Sequence, residues 1–270
     1  SELTRKGGQR HRKIKKTMLA GLIAGLMLPA IPAMAQMYND KTLEYSDSAM
    51  ELSAGDTATN TTINGGAQYI SSGGNAIDTT IENGYQTVFS GGNATSTIIN
   101  GGFQEVSSGG SATSAIINGG FQTLYDNSIA SSTVINNGFQ LISSGGSSVD
   151  TTIQGGIQEV GEGGSASATT INDGFQFISS GGNATSTTIN SGWQEISSGG
   201  SATETVINGG IQTIYDGGSA SEITINSGYQ VISSGGSVTT TTIYRGGEQS
   251  ITNAGLATGS IIRGGEQRVS

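Results

Sequence analysis

The sequence predicts an all-β chain: a parallel β-helix, or β-solenoid, of about 11–12 rows of 18 residues with two short strands in each row. The first observation behind this is a recurring Gln. It runs from Gln68, Gln86 and Gln104 to Gln230, Gln249 and Gln267, with ten of eleven intervals at 18 residues and one at 19. A fixed period near 20 with glycine punctuation is the mark of a solenoid. The second observation is that each Gln carries the same neighbours. Ile stands five residues before it (six at the longer interval) in all twelve rows, from Ile63 to Ile262, Gly stands two before, and an aliphatic residue two after. The third is period-two alternation in short runs such as Thr185, Thr187, Ile189 and Gln194, Ile196, closed by Gly-Gly or Asn-Gly pairs that suit turns with positive φ. Parallel crossovers favour right-handed coiling.

Taken in order, residues 1–35 read as an extended secretory signal peptide. Seven Lys or Arg lie between Arg5 and Lys16, an apolar run extends from Met18 to Leu28, and Ala33-Met34-Ala35 offers an A-x-A site with cleavage after Ala35. The apolar run is far short of the ~20 residues that span a bilayer, which sets aside a transmembrane anchor. Residues 36–60 break the repeat and read as an N-terminal lead-in or cap over the open edge of the solenoid. Residues 61–270 are the repeats.

Within a row, Ile and the aliphatic residue after Gln form inward ladders. Gln shares parity with that aliphatic residue, so it also points inward, where its amide bonds to the Gln above and below. The residue before Gln then faces outward as a stripe that includes Tyr85, Phe103, Phe121, Phe139, Phe175, Trp193 and Tyr229. An exposed apolar stripe of this length is a contact surface. The opposite arrangement, with the stripe in the core and Gln outside, fits the same alternation. Ser-Ser-Gly-Gly recurs in the turn after Gln, and turn chemistry alone accounts for it.

Composition narrows the function. Seven of the 11 basic residues and one of the 20 acidic residues precede residue 36, leaving four cations against 19 anions, a charge of −15. His11 and both prolines also lie in the leader, and there is no Cys. Without thiolate or imidazole no metal site, Cys or Ser-His nucleophile, haem or other cofactor is expected. So few cations exclude a phosphate-tracking surface, so nucleic acid is not a partner.

Two other solenoid functions fit the sequence less well. A secreted β-helix polysaccharide-degrading enzyme needs paired carboxylates, but Asp78 and Asp150 share a column four rows apart, ~19 Å by strand spacing. An ice-binding solenoid would use the pairs Thr95-Thr97, Thr185-Thr187, Thr203-Thr205 and Thr239-Thr241. These share parity with the inward Ile, which places both hydroxyls of each pair inside, and Asp78, Asp150, Glu204 and Glu222 on the opposite face make no uniform array.

The row pattern Q-x-[VI]-S-S-G-G-[SN]-A-T-x-T-x-I-N-x-G resembles the passenger repeats of the AIDA-type self-associating autotransporter adhesins, and Ser1-Glu2-Leu3-Thr4-Arg5-Lys6-Gly7-Gly8 resembles the end of their extended signal region. Departures are the 18-residue row, where relatives often have 19, and the apolar column before Gln. The chain starts without Met and stops within a row, and the family's C-terminal translocating β-barrel is missing, so it reads as a fragment.

The resemblance implies a non-enzymatic glycoprotein displayed at the outer membrane of a Gram-negative bacterium. It implies a role in host-cell attachment, autoaggregation and biofilm formation. The implied partners are identical passengers, the host cell surface and a cytoplasmic autotransporter heptosyltransferase that modifies Ser before export. Carried onto this sequence, the O-glycosylation acceptors are Ser72, Ser90, Ser108, Ser144, Ser180, Ser198 and Ser234, each four residues after Gln. Ser111, Ser147, Ser165, Ser201, Ser219 and Ser237 are second choices, and Asp126, Glu162 and Asp216 interrupt the first column.

Overall fold

The structure is a computed structural model and describes residues 34–270. The predicted leader lies outside the described residues up to residue 33, and Ala35 sits just ahead of the first strand. Among the described residues all regular structure is strand: 35 short strands in one continuous parallel arrangement of about 13 turns, against the 11–12 expected.

Each row has three strands and three corners, which corrects the expectation of two. A representative row runs through Phe103–Val106, Ser111–Thr113 and Ile116–Ile117. These strands build three faces, here termed the Gln, Ala and Ile faces. Strands pair in parallel with their counterparts one row on, as in Gln104 with Gln122, Ala112 with Ala130 and Ile117 with Ile135, with register shifts at Glu44 and between Ile63 and Ala67 in the first rows.

The unexpected corner lies between the Ala and Ile faces and needs no glycine. A single left-handed residue makes the bend: Ser114 at φ 57°. Its column reads Asn60, Asp78, Ser96, Ser132, Asp150, Ala168, Ser186, Glu204, Glu222 and Thr240, at φ between 53° and 58°. Such a residue costs about 1–2 kcal/mol in isolation, so the surrounding ladders must hold it.

This corner also overturns the placing of the Thr pairs. Thr97, Thr187, Thr205 and Thr241 are buried, but Thr95, Thr185, Thr203 and Thr239 lie on the outer side of the Ala face. Alternation holds along a strand and is reset by the left-handed residue between the two threonines. Asp78, Asp150, Glu204 and Glu222 stand on the bend itself.

The interior is a tube lined by Gln, the aliphatic column, Ala, Thr and Ile, nearly all fully buried. Gln is inside, as its parity requires. Each Gln Nε2 donates to the Oε1 of the Gln one row before, at 2.6–2.7 Å, without a break from Gln68 to Gln267. In several rows a buried Thr on the opposite wall adds a second donor, as Thr97 does to Gln86 at 3.2 Å and Thr169 to Gln158 at 3.2 Å.

Two threonines of this wall have no partner, Thr61 and Thr133, the latter opposite Gln122. Met50 occupies the Gln position of the first row, opposite Thr61. A second polar ladder runs along the outside after the Ile strand, in which Asn118 donates to Asn100 and Asn136 to Asn118.

Glycine is needed for two distinct reasons at the Ser-Ser-Gly-Gly corner. Gly109 has φ 80°, a conformation that favours glycine. Gly110 does not, but a Cβ there would lie 2.4 Å from the Val88 carbonyl oxygen in the row before. Ser128 replaces this second glycine in one row, and its buried hydroxyl has no partner.

The segment expected to break the repeat keeps the parallel pairing without the sequence pattern, with a register shift at Glu44. Met37–Asn39, Thr42–Glu44 and Met50–Leu52 pair in parallel onto the next row, with Leu43 beside Ile63 and Leu52 beside Ile70.

The Gln ladder gives a direct stability test. Gln158→Leu removes the acceptor of Gln176 and Thr169 and the donor to Gln140. With about 1–3 kcal/mol for each of the three buried groups left unpaired, the expected loss is at least about 3 kcal/mol in denaturant unfolding. The same change at exposed Gln154 is expected to cost under about 0.5 kcal/mol.

Candidate contact and modification surface

Two surface features recur row by row, and both start from the strand that carries Gln. Because Gln104 points inward, Phe103 and Glu105 on either side of it must point outward. The predicted stripe therefore lies on the Gln face. Tyr85, Phe103, Phe121, Trp193 and Tyr229 are exposed, with Trp193 at 44% and Tyr85 at 56%, while Phe139 and Phe175 are half-buried. The rings are spaced by the strand separation: Tyr85 and Phe103 stack at 5.4 Å between centroids, Phe103 and Phe121 at 5.1 Å, and Phe175 and Trp193 at 5.6 Å.

The column one residue after Gln shares this face and was not singled out from the sequence. It adds Phe177, which stacks beside Phe175 at 5.8 Å, and the carboxylates Glu105, Glu159 and Glu195. Parity was the available signal, since residues i−1 and i+1 of an inward residue both point out. Two of these carboxylates are held from the next row. Tyr125 Oη donates to Glu105, and Tyr215 Oη donates to Glu195. Both phenols have pKa values raised above the ordinary value. Burial is the larger cause at Tyr125 and the hydrogen bond to the carboxylate at Tyr215. Phe175, Phe177, Trp193, Glu195 and Thr213 together line a shallow depression of about 310 Å³.

The second feature is the corner between the Gln and Ala faces. Ser72, Ser90, Ser108, Ser144, Ser180, Ser198 and Ser234 are all exposed there. Ser108, Ser144, Ser180 and Ser198 have φ between 47° and 51°. A Cβ built on the following glycine at Gly109 or Gly181 would meet nothing within 4 Å, so the corner projects into open space. Asp126, Glu162 and Asp216 take the same left-handed conformation without a hydroxyl. Of the second-choice serines, Ser111, Ser147, Ser165, Ser201 and Ser237 are half-buried on the Ala face, and only Ser219 is exposed. Among the described residues no group of three His, Cys, Asp or Glu side chains could hold a metal ion.

No family model matches the chain. Among curated proteins it is similar to the autotransporter adhesin/invasin TibA of Escherichia coli O78:H11 (strain H10407 / ETEC), 61% identical over 72 residues, 26% of this chain and 7% of TibA. It is also similar to the autotransporter CRAC of Citrobacter rodentium (strain ICC168), 63% identical over 68 residues, 24% of this chain and 4% of CRAC. The matched stretches are thus a small part of either relative. Among solved structures it matches a crystal structure of a TibC-catalyzed hyper-glycosylated TibA fragment, with a TM-score of 0.81 and 43% identity over 87% of this chain and 97% of the fragment. The chain belongs to the autotransporter adhesin family.

Family membership accounts for the stacked solenoid fold, because the solved adhesin fragment is similar over nearly its whole length. It leaves open which surface columns of this adhesin segment do the work. The Gln-face stripe makes one check simple, since Trp193 is the only Trp in the chain. Its fluorescence is expected to be quenched by acrylamide at a large fraction of the rate for free tryptophan, and a shielded Trp193 would contradict the exposed stripe.

Proposed function

We propose that this chain is an exported, surface-displayed passenger segment that works as a glycosylated adhesin in autoaggregation, biofilm formation and host-cell attachment, and not as an enzyme. The observation that carries the reading is the corner column. Seven serine hydroxyls recur at one exposed position of a stacked scaffold, and that scaffold is similar over 87% of its length to a hyper-glycosylated adhesin fragment.

The corner suits modification for physical reasons. Its backbone is held by the ladder, as where Ser144 N donates to the Glu162 carbonyl at 2.9 Å and Ser198 N to the Asp216 carbonyl at 2.9 Å. Its side chain points away from the core, so a bulky sugar displaces no packed atom. We assign the acceptor oxygens to Ser72, Ser90, Ser108, Ser144, Ser180, Ser198 and Ser234. The half-buried serines of the Ala face are the poorer acceptors. The donor enzyme in this reading is a cytoplasmic autotransporter heptosyltransferase, acting before residues 1–35 direct export and are removed after Ala35.

Contact in this reading is made by the Gln-face stripe, with identical passengers and the host surface as partners. A rod whose core is a repeated ladder keeps its outward columns free to serve as contact surface without loss of stability. An ice-binding role regains its outward threonines on the Ala face, but their column also carries Ile77 and Val149, and the neighbouring outward column carries Ile129 and Leu256, which break the hydroxyl array.

Expression with and without the transferase tests the assignment. The mature chain from transferase-bearing cells is expected to show intact-mass increments in whole multiples of a heptose. Replacing the seven corner serines by Ala is expected to remove most of them. An unmodified chain from such cells would end the proposal.

A further inference from the structure

The Tyr–carboxylate pairs on the Gln face are not used by the glycosylation reading, and they occur twice. Residues 102–126 and 192–216 are copies of one 25-residue stretch that differ at seven positions. Both keep the Glu after Gln and the Tyr-Asp that replaces the usual Ser-Ser one row later. The first copy sets Glu105, held by Tyr125, beside Tyr85, Phe103 and Phe121. The second sets Glu195, held by Tyr215, beside Phe175, Phe177 and Trp193. Five rows separate the copies, about 24 Å by strand spacing.

We propose that these are two equivalent docking sites for cationic side chains, Lys or Arg, of a basic polypeptide partner. An oriented carboxylate beside several aromatic rings fits an ammonium or guanidinium group, which the ring faces attract and the carboxylate neutralises. The Tyr hydroxyl fills one lone pair of the carboxylate and leaves the other oxygen free for the incoming cation.

Charge decides the class of partner. Between Lys41 and Arg245 the sequence contains no Lys, Arg or His, so a second copy laid on this face would bring carboxylate to carboxylate over those rows. A choline headgroup offers the right cation, but its phosphate would be repelled by residues 36–270, whose charge is −15. The proposal rests on the Gln-face stripe being a contact surface and names what that surface contacts.

The test is binding of the mature chain to poly-L-lysine, followed by Trp193 fluorescence and by an independent affinity measurement. E105Q/E195Q is compared with the charge-matched control E204Q/E222Q, whose residues stand on the far corner. The account expects roughly ten- to hundredfold weaker binding for the first pair and less than about twofold for the second. Unchanged unfolding transitions guard against loss of fold. Equal weakening by both pairs would mean that only the general field acts, and would overturn the proposal. Binding to phosphatidylcholine vesicles without binding to poly-L-lysine would overturn it as well. Trp193→Ala/Phe103→Ala separates the two readings. Loss of binding there with none in E105Q/E195Q keeps the stripe and removes the cation sites, and loss in neither removes both.

Discussion

A buried carboxamide must find a donor and an acceptor, and here the partner is the same residue one row away. The Gln ladder imposes that requirement on every turn from Gln68 to Gln267. It explains why the period is held so strictly. The one 19-residue interval is absorbed on the outside, near Tyr244 and Arg245, so that Gln249 still donates to Gln230 at 2.7 Å. Hydrophobic columns tolerate a shift in size or angle, but a hydrogen bond does not. The ladder therefore sets the register, and the Ile, Ala and aliphatic columns pack at the spacing it sets.

That division of labour frees the surface. Outward columns contribute little to the core, so the corner after the Gln strand can carry Ser, Asp or Glu on one backbone conformation, as at Ser144, Asp126 and Glu162. The same freedom lets the Gln face carry rings in most rows and carboxylates in some. Adhesin repeats of this kind separate a conserved geometry inside one chain from a varied chemistry outside it, and the two surface columns lie on neighbouring edges where each can be occupied without blocking the core.

The period and the inward Ile were legible in the sequence because they depend only on recurrence and alternation along one strand. Alternation alone left Gln and the ring column interchangeable, and it is the structure that places Gln inside and the rings outside. What was missed depends on how the chain turns. The corner at Ser114 has no Gly or Pro to announce it, since Ser, Asp, Asn and Glu all serve there, and so a row of three strands read as a row of two. The outer position of Thr95, Thr185, Thr203 and Thr239 followed from that missing bend. Residues 36–60 were invisible as solenoid because Met50 takes the place of Gln and Leu43 that of Ile. The pairing of Tyr125 with Glu105 joins different columns of adjacent rows, which a reading by columns does not reveal. The serines proposed as acceptors came from likeness to relatives; what the fold adds is that all seven are exposed on one corner.

The claim on which the rest stands is that the buried glutamines are bonded to one another. Hydrogen exchange of their side-chain amide protons, resolved by NMR on labelled protein, measures this most directly. The account predicts slowly exchanging carboxamide protons for the column Gln68 to Gln249, with the donated proton protected as well as the core backbone amides. Side-chain protons of this column exchanging at the rate of exposed Gln154 would contradict it.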